Sequence, residues 1–281
     1  MLFKVRDQVL DLKKRCLLMA IVNVTPDSFS ENGVNYDPHK AIENALRMVT
    51  NGADILDIGG ESTRPGASPV AESEEIKRVV PVIEGLRKET NVLISIDTTK
   101  ANVAQAALDV GADIINDISG MKQDPNMPSV AINSGASCIL MHMKGTPQTM
   151  QQYTEYSEIV HEINQYFGTL IELYESMGIQ REKIAIDPGI GFSKTVEQNL
   201  ELIARLDQFH VHGCPILLGP SRKSFIGKTL GQPKPEDRLL GTAASVAYGI
   251  ERGARIMRVH DVIEMKQVID LTMAFEQHIY K

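Results

Sequence analysis

The sequence has no tryptophan among its 281 residues, and only 5% of them are aromatic. That leaves little material for the stacking platforms on which proteins hold single-stranded nucleic acid. Basic residues are not in excess either. Lys plus Arg is 29 against 36 Asp plus Glu, a net charge of −7. Binding nucleic acid through general basicity is therefore excluded, while a local basic pocket is not. Cysteine is scarce. Cys16, Cys138 and Cys214 are odd in number, widely spaced and without a CxxC. They make neither a disulfide framework nor a thiolate zinc site, and they point to a reducing compartment. No apolar run approaches the ~18 residues of a membrane span. Lys13, Lys14 and Arg15 before Cys16–Val22 faintly imitate a signal peptide, but Asp7 and Asp11 spoil the basic region and no small-residue cleavage site follows. A cytoplasmic protein is expected, with no membrane and no nucleic-acid partner.

What is present is ordinary globular material, 43% hydrophobic and 23% charged. Short apolar runs rich in Ile, Leu and Val recur at Cys16–Val22, Asp54–Ile58, Val92–Ile96, Asp113–Ile118, Ser137–Met141, Lys183–Ile186, Pro215–Leu218 and Arg255–Val259. Each has strand length without clean alternation, as parallel strands buried on both faces do. Helical stripes lie between them. Ala41, Ile42, Ala45, Leu46 and Val49 share a face, as do Val103, Ala106, Ala107 and Val110. Val79, Val82, Ile83 and Leu86 make a third stripe, which Pro81 is expected to bend or shorten. Longer helical patterns cover Tyr153–Met177, Thr195–Phe209, Pro235–Arg252 and Asp261–Ile279. A weak repeat, Gly-Ala followed by an apolar run, recurs at Gly52, Gly111, Gly135 and Gly253. In each, a glycine suited to a left-handed helix cap precedes a strand. Eight strand–helix alternations without a linker predict an α/β fold, a (β/α)8 TIM barrel of eight parallel strands ringed by helices. Residues 1–281 are read as a single domain with its core at about 16–279. The first ~15 residues fit a hairpin or lid at the barrel bottom.

The ends of the apolar runs are polar. They carry Asn23, Asp57 before Gly59-Gly60-Glu61-Ser62-Thr63-Arg64-Pro65-Gly66, Asp97-Thr98, Asn116-Asp117, His142, Asp187-Pro188-Gly189, Ser221-Arg222-Lys223-Ser224, and Arg258 with His260. Polar groups at the carboxyl ends of nearly all strands mark the catalytic face of a barrel. Buried carboxylates and amides need partners, so eight such ends are more than loop polarity.

These residues resemble the dihydropteroate synthase family. The resemblance runs from about residue 16 to 262. Its longest motifs are Asn23-Val24-Thr25-Pro26-Asp27-Ser28-Phe29-Ser30 and Leu56 through Gly66. Ile96-Asp97-Thr98, Ile115-Asn116-Asp117, His142-Met143-Lys144-Gly145, Asp187 through Phe192, Ser221 through Ser224 and Arg258 through Asp261 follow in the family's order. The resemblance implies that 4-aminobenzoate is joined to 6-hydroxymethyl-7,8-dihydropterin pyrophosphate to give 7,8-dihydropteroate and pyrophosphate in folate biosynthesis. It also implies Mg2+ as cofactor, sulfonamides as inhibitors, and a homodimer formed through the later helices.

Residue by residue, the resemblance gives pterin recognition to Asp97, Asn116, Asp187, Lys223 and Phe192. Carboxylates and an amide suit an aminopyrimidinone edge, and the lysine balances their charge. Asn23, Thr63, Arg64, Arg258 and His260 fall to the pyrophosphate, with Asn23 also on Mg2+, which prefers oxygen ligands. Phe29, Thr63, Arg64, Pro65 and Ser224 fall to 4-aminobenzoate. Asp97, Asp187, Lys223, Arg258 and His260 form the catalytic set. The first loop departs from the family where an Asp and two Gly commonly follow Phe-Ser; here Glu31-Asn32-Gly33 stand. The expected chemistry is dissociative C–O cleavage, with a benzyl-like pterin cation and electrostatic stabilisation of the leaving pyrophosphate. The three cysteines fall at or near strand starts, on the face of the barrel away from the catalytic mouth, and are expected to be buried packing residues. The rival readings are a pterin-dependent methyltransferase barrel and a non-catalytic pterin-binding barrel.

Overall fold

The computed structural model describes residues 1–25 and 37–279. Phe29 and Glu31, with the rest of the first loop, lie outside the described residues. Two short strands, β1 (Leu2–Val5) and β2 (Gln8–Asp11), pair antiparallel. The eight strands that follow are all parallel: β3 (Leu17–Asn23), β4 (Ile55–Gly59), β5 (Leu93–Asp97), β6 (Ile114–Asp117), β7 (Ser137–Met141), β8 (Ile184–Asp187), β9 (Leu217–Leu218) and β10 (Ile256–Val259). Their order around the sheet is β8-β7-β6-β5-β4-β3-β10-β9. A parallel bridge between Ile186 and Ile216 joins its two ends, so the sheet closes into a barrel.

Side-chain parity divides the barrel. Leu17, Met19, Ile55, Leu93, Ile114, Ile139 and Ile256 point inward and form one apolar layer with Phe3, Val5 and Leu12. The antiparallel pair is thus a bottom plug: the inner layer would otherwise meet water at the amino ends of the strands. The residues of opposite parity, among them Leu18, Leu56, Ile94, Ile115, Leu140 and Ile186, pack outward against the helices. This is why the runs show no alternation: both faces are apolar, one toward the barrel axis and one toward the helical ring.

The glycines of the repeat all have positive φ, from +68° at Gly135 to +111° at Gly111. At these turns from helix into strand a side chain would be strained. Cys16, Cys138 and Cys214 are free and buried with the outward set, and burial pushes each thiol up to about 12.

The longer helical patterns break where side chains hold backbone groups. Tyr153–Met177 yields a helix only over Ile159–Ser176, because Glu158 caps it by accepting from His161 N at 2.7 Å. Thr195–Phe209 divides into a helix, Val196–Ala204, with a Thr195–Gln198 capping box, and a 3-10 segment, Leu206–His212. Pro235–Arg252 begins with a 3-10 turn, and the helix proper is Leu239–Glu251. There the Arg238 guanidinium holds the carbonyls of Gln232 at 3.0 Å and Arg222 at 2.8 Å. Pro81 does not shorten its helix, which runs from Glu72 to Glu89. Pro81 and Lys77 are exposed, so the carbonyl that loses its partner faces water.

Candidate active site

Strand register places the predicted polar residues in one row. Asn23 is paired with Gly59, Gly59 with Asp97, and Asp97 with Asn116. Two strands further on, Met141 is paired with Asp187. Asp57 lies two residues before Gly59 and so shares its inward parity. β10, which pairs with β3, brings Arg258, also on the inward set.

These groups form a connected network. The Arg258 guanidinium donates to Asp57 Oδ2 from Nε and to Asp97 Oδ2 from Nη2, each at 2.6 Å. Asn116 Nδ2 donates to Asp57 Oδ2 at 3.1 Å. Asp57 is 1% exposed and Asp97 7%. The second oxygen of each, Asp57 Oδ1 and Asp97 Oδ1, is buried and accepts no hydrogen bond. Two unpartnered carboxylate oxygens in one cup are an acceptor pair for an incoming ligand rich in N–H groups. Burial raises the Asp97 carboxyl above its ordinary range, with Arg258 opposing that shift and Asp57 adding to it. Burial also disfavours the Arg258 cation, but Asp57 and Asp97 outweigh it and its pKa rises.

Asp187 and Lys223 form the neighbouring part of the mouth. Asp187 Oδ1 accepts from Gly189 N at 2.7 Å. Burial raises its pKa and Lys223 pulls it back. Lys223 stands at the N-cap position of the helix Ser224–Leu230; its ammonium donates to the Ile190 carbonyl and lies 4.6 Å from the Phe192 ring centroid. Burial pushes Lys223 down to about 8, with Asp187 holding it up, so the amine stays largely charged at neutral pH. Ser224 is exposed at the first position of that helix. The cap position belongs to Lys223, so Ser224 is not the N-cap. Phe192 packs beside Ile118, Met141, Met143 and Met150.

His260 follows Arg258 on the same face. Its Nδ1 is 3.0 Å from Ser221 Oγ, which also accepts from His260 N at 3.2 Å. Burial, and then the cation of Arg258, push His260 down to about 4. It is therefore a neutral imidazole at pH 7. Arg222, at φ +58°, pairs with Asp261. Two contacts thus tie the loop after β9 to the end of β10.

The loop after β4 carries Thr63, half-buried, and Arg64 and Pro65, both exposed. It rests on the loop after β7: Gly66 N donates to Pro147 O at 3.1 Å, and Gln148 Nε2 to Ala67 O at 2.7 Å. Thr63 lines a cleft with Asp97, Thr98, Lys100 and Gln148. The structure thus unites Asp97, Asn116 and Arg258 directly, sets Asp187, Phe192 and Lys223 beside one another, and puts Arg64, Pro65 and Ser224 at exposed positions.

Sequence reasoning noted Asp57 within its apolar run and gave it no role. The available signal was parity with Gly59, which alternation across a strand supplies. It also missed the buried Lys194, whose ammonium holds Phe192 O at 2.8 Å and lies 3.3 Å from His142 Nδ1. Burial lowers the pKa of Lys194 well below its ordinary value, and pushes His142 down to about 2. No spacing rule connects residues 142 and 194; only the barrel brings their loops together.

Among the described residues no three His, Cys, Asp or Glu side chains cluster as a metal site. Asn23, half-buried at the end of β3, offers an amide oxygen at the mouth. That fits Mg2+ held mainly by ligand phosphates and water, which needs only one or two protein oxygens.

A family profile described as "Pterin binding enzyme" matches residues 19–260. A dihydropteroate synthase of Synechocystis sp. is 49% identical over 258 residues, covering 92% of this chain and 89% of its own. The crystal structure of the Yersinia pestis dihydropteroate synthase in complex with a sulfonamide drug superposes with a TM-score of 0.92 at 41% identity, covering 99% of this chain and 100% of that one. A dihydropteroate synthase of Xanthomonas albilineans with 4-aminobenzoic acid gives 0.89 at 38% identity and 96% of both chains. A likeness of this extent, over a mouth whose polar row repeats the motif order, shows that the chain belongs to the pterin-binding enzymes and, within them, to the dihydropteroate synthases, which are transferases.

Proposed function

We propose that this chain joins 4-aminobenzoate to 6-hydroxymethyl-7,8-dihydropterin pyrophosphate, releasing pyrophosphate and 7,8-dihydropteroate. The observation that carries the reading is the pair of buried, unpartnered oxygens, Asp57 Oδ1 and Asp97 Oδ1. They sit beside Asn116, which is hydrogen-bonded to Asp57, and share the barrel mouth with Asp187. A pterin's amino group and ring N–H need such acceptors, and Asn116 supplies a group that both donates and accepts. Lys223 donates to the ring acceptors, and Phe192 covers the ring.

The C–O bond breaks with its electron pair leaving on pyrophosphate. The methylene carbon becomes a benzyl-like cation delocalised into the pterin. The aniline nitrogen then attacks it, forming the C–N bond and losing a proton to solvent or to the leaving group. The protein needs no nucleophile of its own, in keeping with thiols that burial holds protonated. Its task is to orient the partners and stabilise the leaving charge. Arg258, His260, Asn23, Thr63 and Arg64 are assigned to the pyrophosphate. Arg258 already neutralises Asp57 and Asp97, so it serves the anion as part of a shared network. Bound Mg2+, with Asn23 as its protein ligand, would supply charge neutralisation at the phosphates. Thr63, Arg64, Pro65 and Ser224 are assigned to 4-aminobenzoate, and sulfonamides would compete there. Phe29 keeps the same assignment on sequence grounds.

The proposal extends to one domain over residues 1–281, a cytoplasmic location and a homodimer. The dimer is supported by the exposed apolar residues Leu240, Ile263, Leu271 and Phe275 on the last two helices. The test is pyrophosphate release from the dihydropterin pyrophosphate with Mg2+, with and without 4-aminobenzoate, while pteroate is followed in parallel. Stoichiometric pteroate is the expected result. Absence of release by protein that binds the pterin in calorimetry would overturn the proposal.

A further inference from the structure

Outside the catalytic set, one lysine uses all three of its protons at the base of the loop after β4. Lys100 Nζ donates to Glu61 Oε2 at 2.6 Å, to the Val70 carbonyl at 2.8 Å, and to Glu75 Oε2. Glu61 Oε2 accepts in turn from Val70 N at 2.8 Å. Glu61 and Val70 are the two ends of the segment that carries Thr63, Arg64 and Pro65. A single ammonium therefore fastens both ends, while Arg78 holds the adjacent Gly60 carbonyl at 2.9 Å. Gly60 lies so close to the helix Glu72–Glu89 that a Cβ there would stand 2.9 Å from Glu75 Cγ and from Val79 Cγ1. The clasp is rigidly mounted on both sides. Glu75 is buried on that helix, and Lys100 stands at the N-cap position of the helix Ala101–Asp109, three residues after Asp97. Among the described residues, the segment between the fastened ends is held to the next loop by the hydrogen bonds to Pro147 and Gln148 described above.

We propose that Lys100, with Glu61 and Glu75, is a positioning clasp that sets the second loop against the end of β5, so that the aminobenzoate-side residues Thr63, Arg64 and Pro65 keep a fixed distance from the pterin carboxylate Asp97. This rests on the substrate assignment above. It adds residues that touch neither substrate and act through the loop. The electrostatics agree: burial works against the Lys100 cation, but Glu61 and Glu75 outweigh it and its pKa is raised. The ammonium is therefore a permanent charge at working pH, and loop position does not depend on its titration. Arg78, which holds the Gly60 carbonyl, is itself paired with Glu74 Oε1 at 3.1 Å.

Lys100→Met alone strands the buried Glu75 carboxylate, so the variant to use is Lys100→Met/Glu75→Gln, with Lys100→Arg and Glu61→Gln beside it. Misplacing positioning groups by about 1 Å costs up to about 100-fold in rate, and a loosened loop is expected to raise KM for 4-aminobenzoate by about tenfold. The inhibition constant of a sulfonamide should rise by a similar factor, while the calorimetric Kd of the pterin pyrophosphate stays within about twofold. Lys100→Arg should recover part of the loss. Hydrogen exchange of the peptide spanning residues 61–70 should quicken by about tenfold or more in the double variant, a readout that needs no activity. Unchanged exchange in that peptide would overturn the clasp. So would equal losses for both substrates accompanied by a lowered Tm, which is the mark of a merely structural role. Failure of the wild-type protein to form pteroate would count against the proposed function, and the exchange measurement would still decide the clasp.

Discussion

Replacing Arg258 by methionine would test the central network most directly. The substitution keeps an unbranched side chain of moderate length and removes the cation that bridges Asp57 and Asp97. Both carboxylates are buried, and each is left with one oxygen already unpartnered. Removing one partner of a buried ion pair costs about 3–5 kcal/mol. The wild-type pair itself contributes much less, because burying three charges was costly to begin with. Arg258→Met should therefore lower the urea midpoint by more than about 1 M, given slopes of about 1–3 kcal/mol per M. The triple variant Asp57→Leu/Asp97→Leu/Arg258→Met should recover most of that loss, because apolar groups need no partner. The pH dependence adds a second check. Burial raises the Asp97 pKa from its ordinary 3.8, and Arg258 heads the influences opposing that shift. In the variant the folded-state pKa rises further above the unfolded value, so folding takes up a proton across a wider window. Stability of the variant is then highest in acid and falls as pH rises, and its deficit relative to wild type widens as pH climbs from about 6 to about 9, through the wild-type value of about 7. A deficit below about 1 kcal/mol, or one independent of pH in that range, would refute the reasoning. Pteroate formation should fall by about 100-fold or more, the scale of losing one preorganised electrostatic group.

Three further outcomes follow from the geometry. His260, held at about 4, is neutral in the free protein; a bound diphosphate beside it should raise its pKa, so calorimetry in buffers of different ionisation enthalpy at pH 5–6 should show proton uptake, and none would exclude a direct contact. Asp187→Asn removes the carboxylate that supports the Lys223 cation. It should weaken pterin binding by about 10- to 100-fold, as loss of a charge-assisted hydrogen bond does, and shift the alkaline limb of the rate profile downward from about 8; an unmoved limb would show that Lys223 is not the group reported. Phe3→Ala empties the bottom plug and should cost about 3–5 kcal/mol of stability with KM for both substrates unchanged, whereas an altered KM would contradict the separation of plug from mouth.

Local pattern along the chain carries the barrel. Eight two-faced apolar runs and the four Gly-Ala turns need only local periodicity and backbone sterics, and the observed strands fall on those runs within a residue or two. It also located the mouth, because polar groups at strand ends are legible without a structure. Helix limits were less legible. The helical stripe before Ile159 continues in the sequence, but the Glu158 side chain ends it by capping. Partnership between side chains becomes visible only in the folded chain. Arg258 reads as an anion-binding residue from its spacing to His260, yet it lies 201 residues from Asp57 in the chain and is hydrogen-bonded to it. The carboxyl of Asp57 counts as a site residue only because strand register turns it inward beside Asp97 and Asn116. No motif in the sequence marks the partners of Lys100; barrel closure brings Glu61, Val70 and Glu75 around its ammonium. Local pattern fixes which face a side chain takes, since that depends on nearest neighbours along the chain. Which charge meets which depends on long-range closure of the sheet, and no periodicity encodes it.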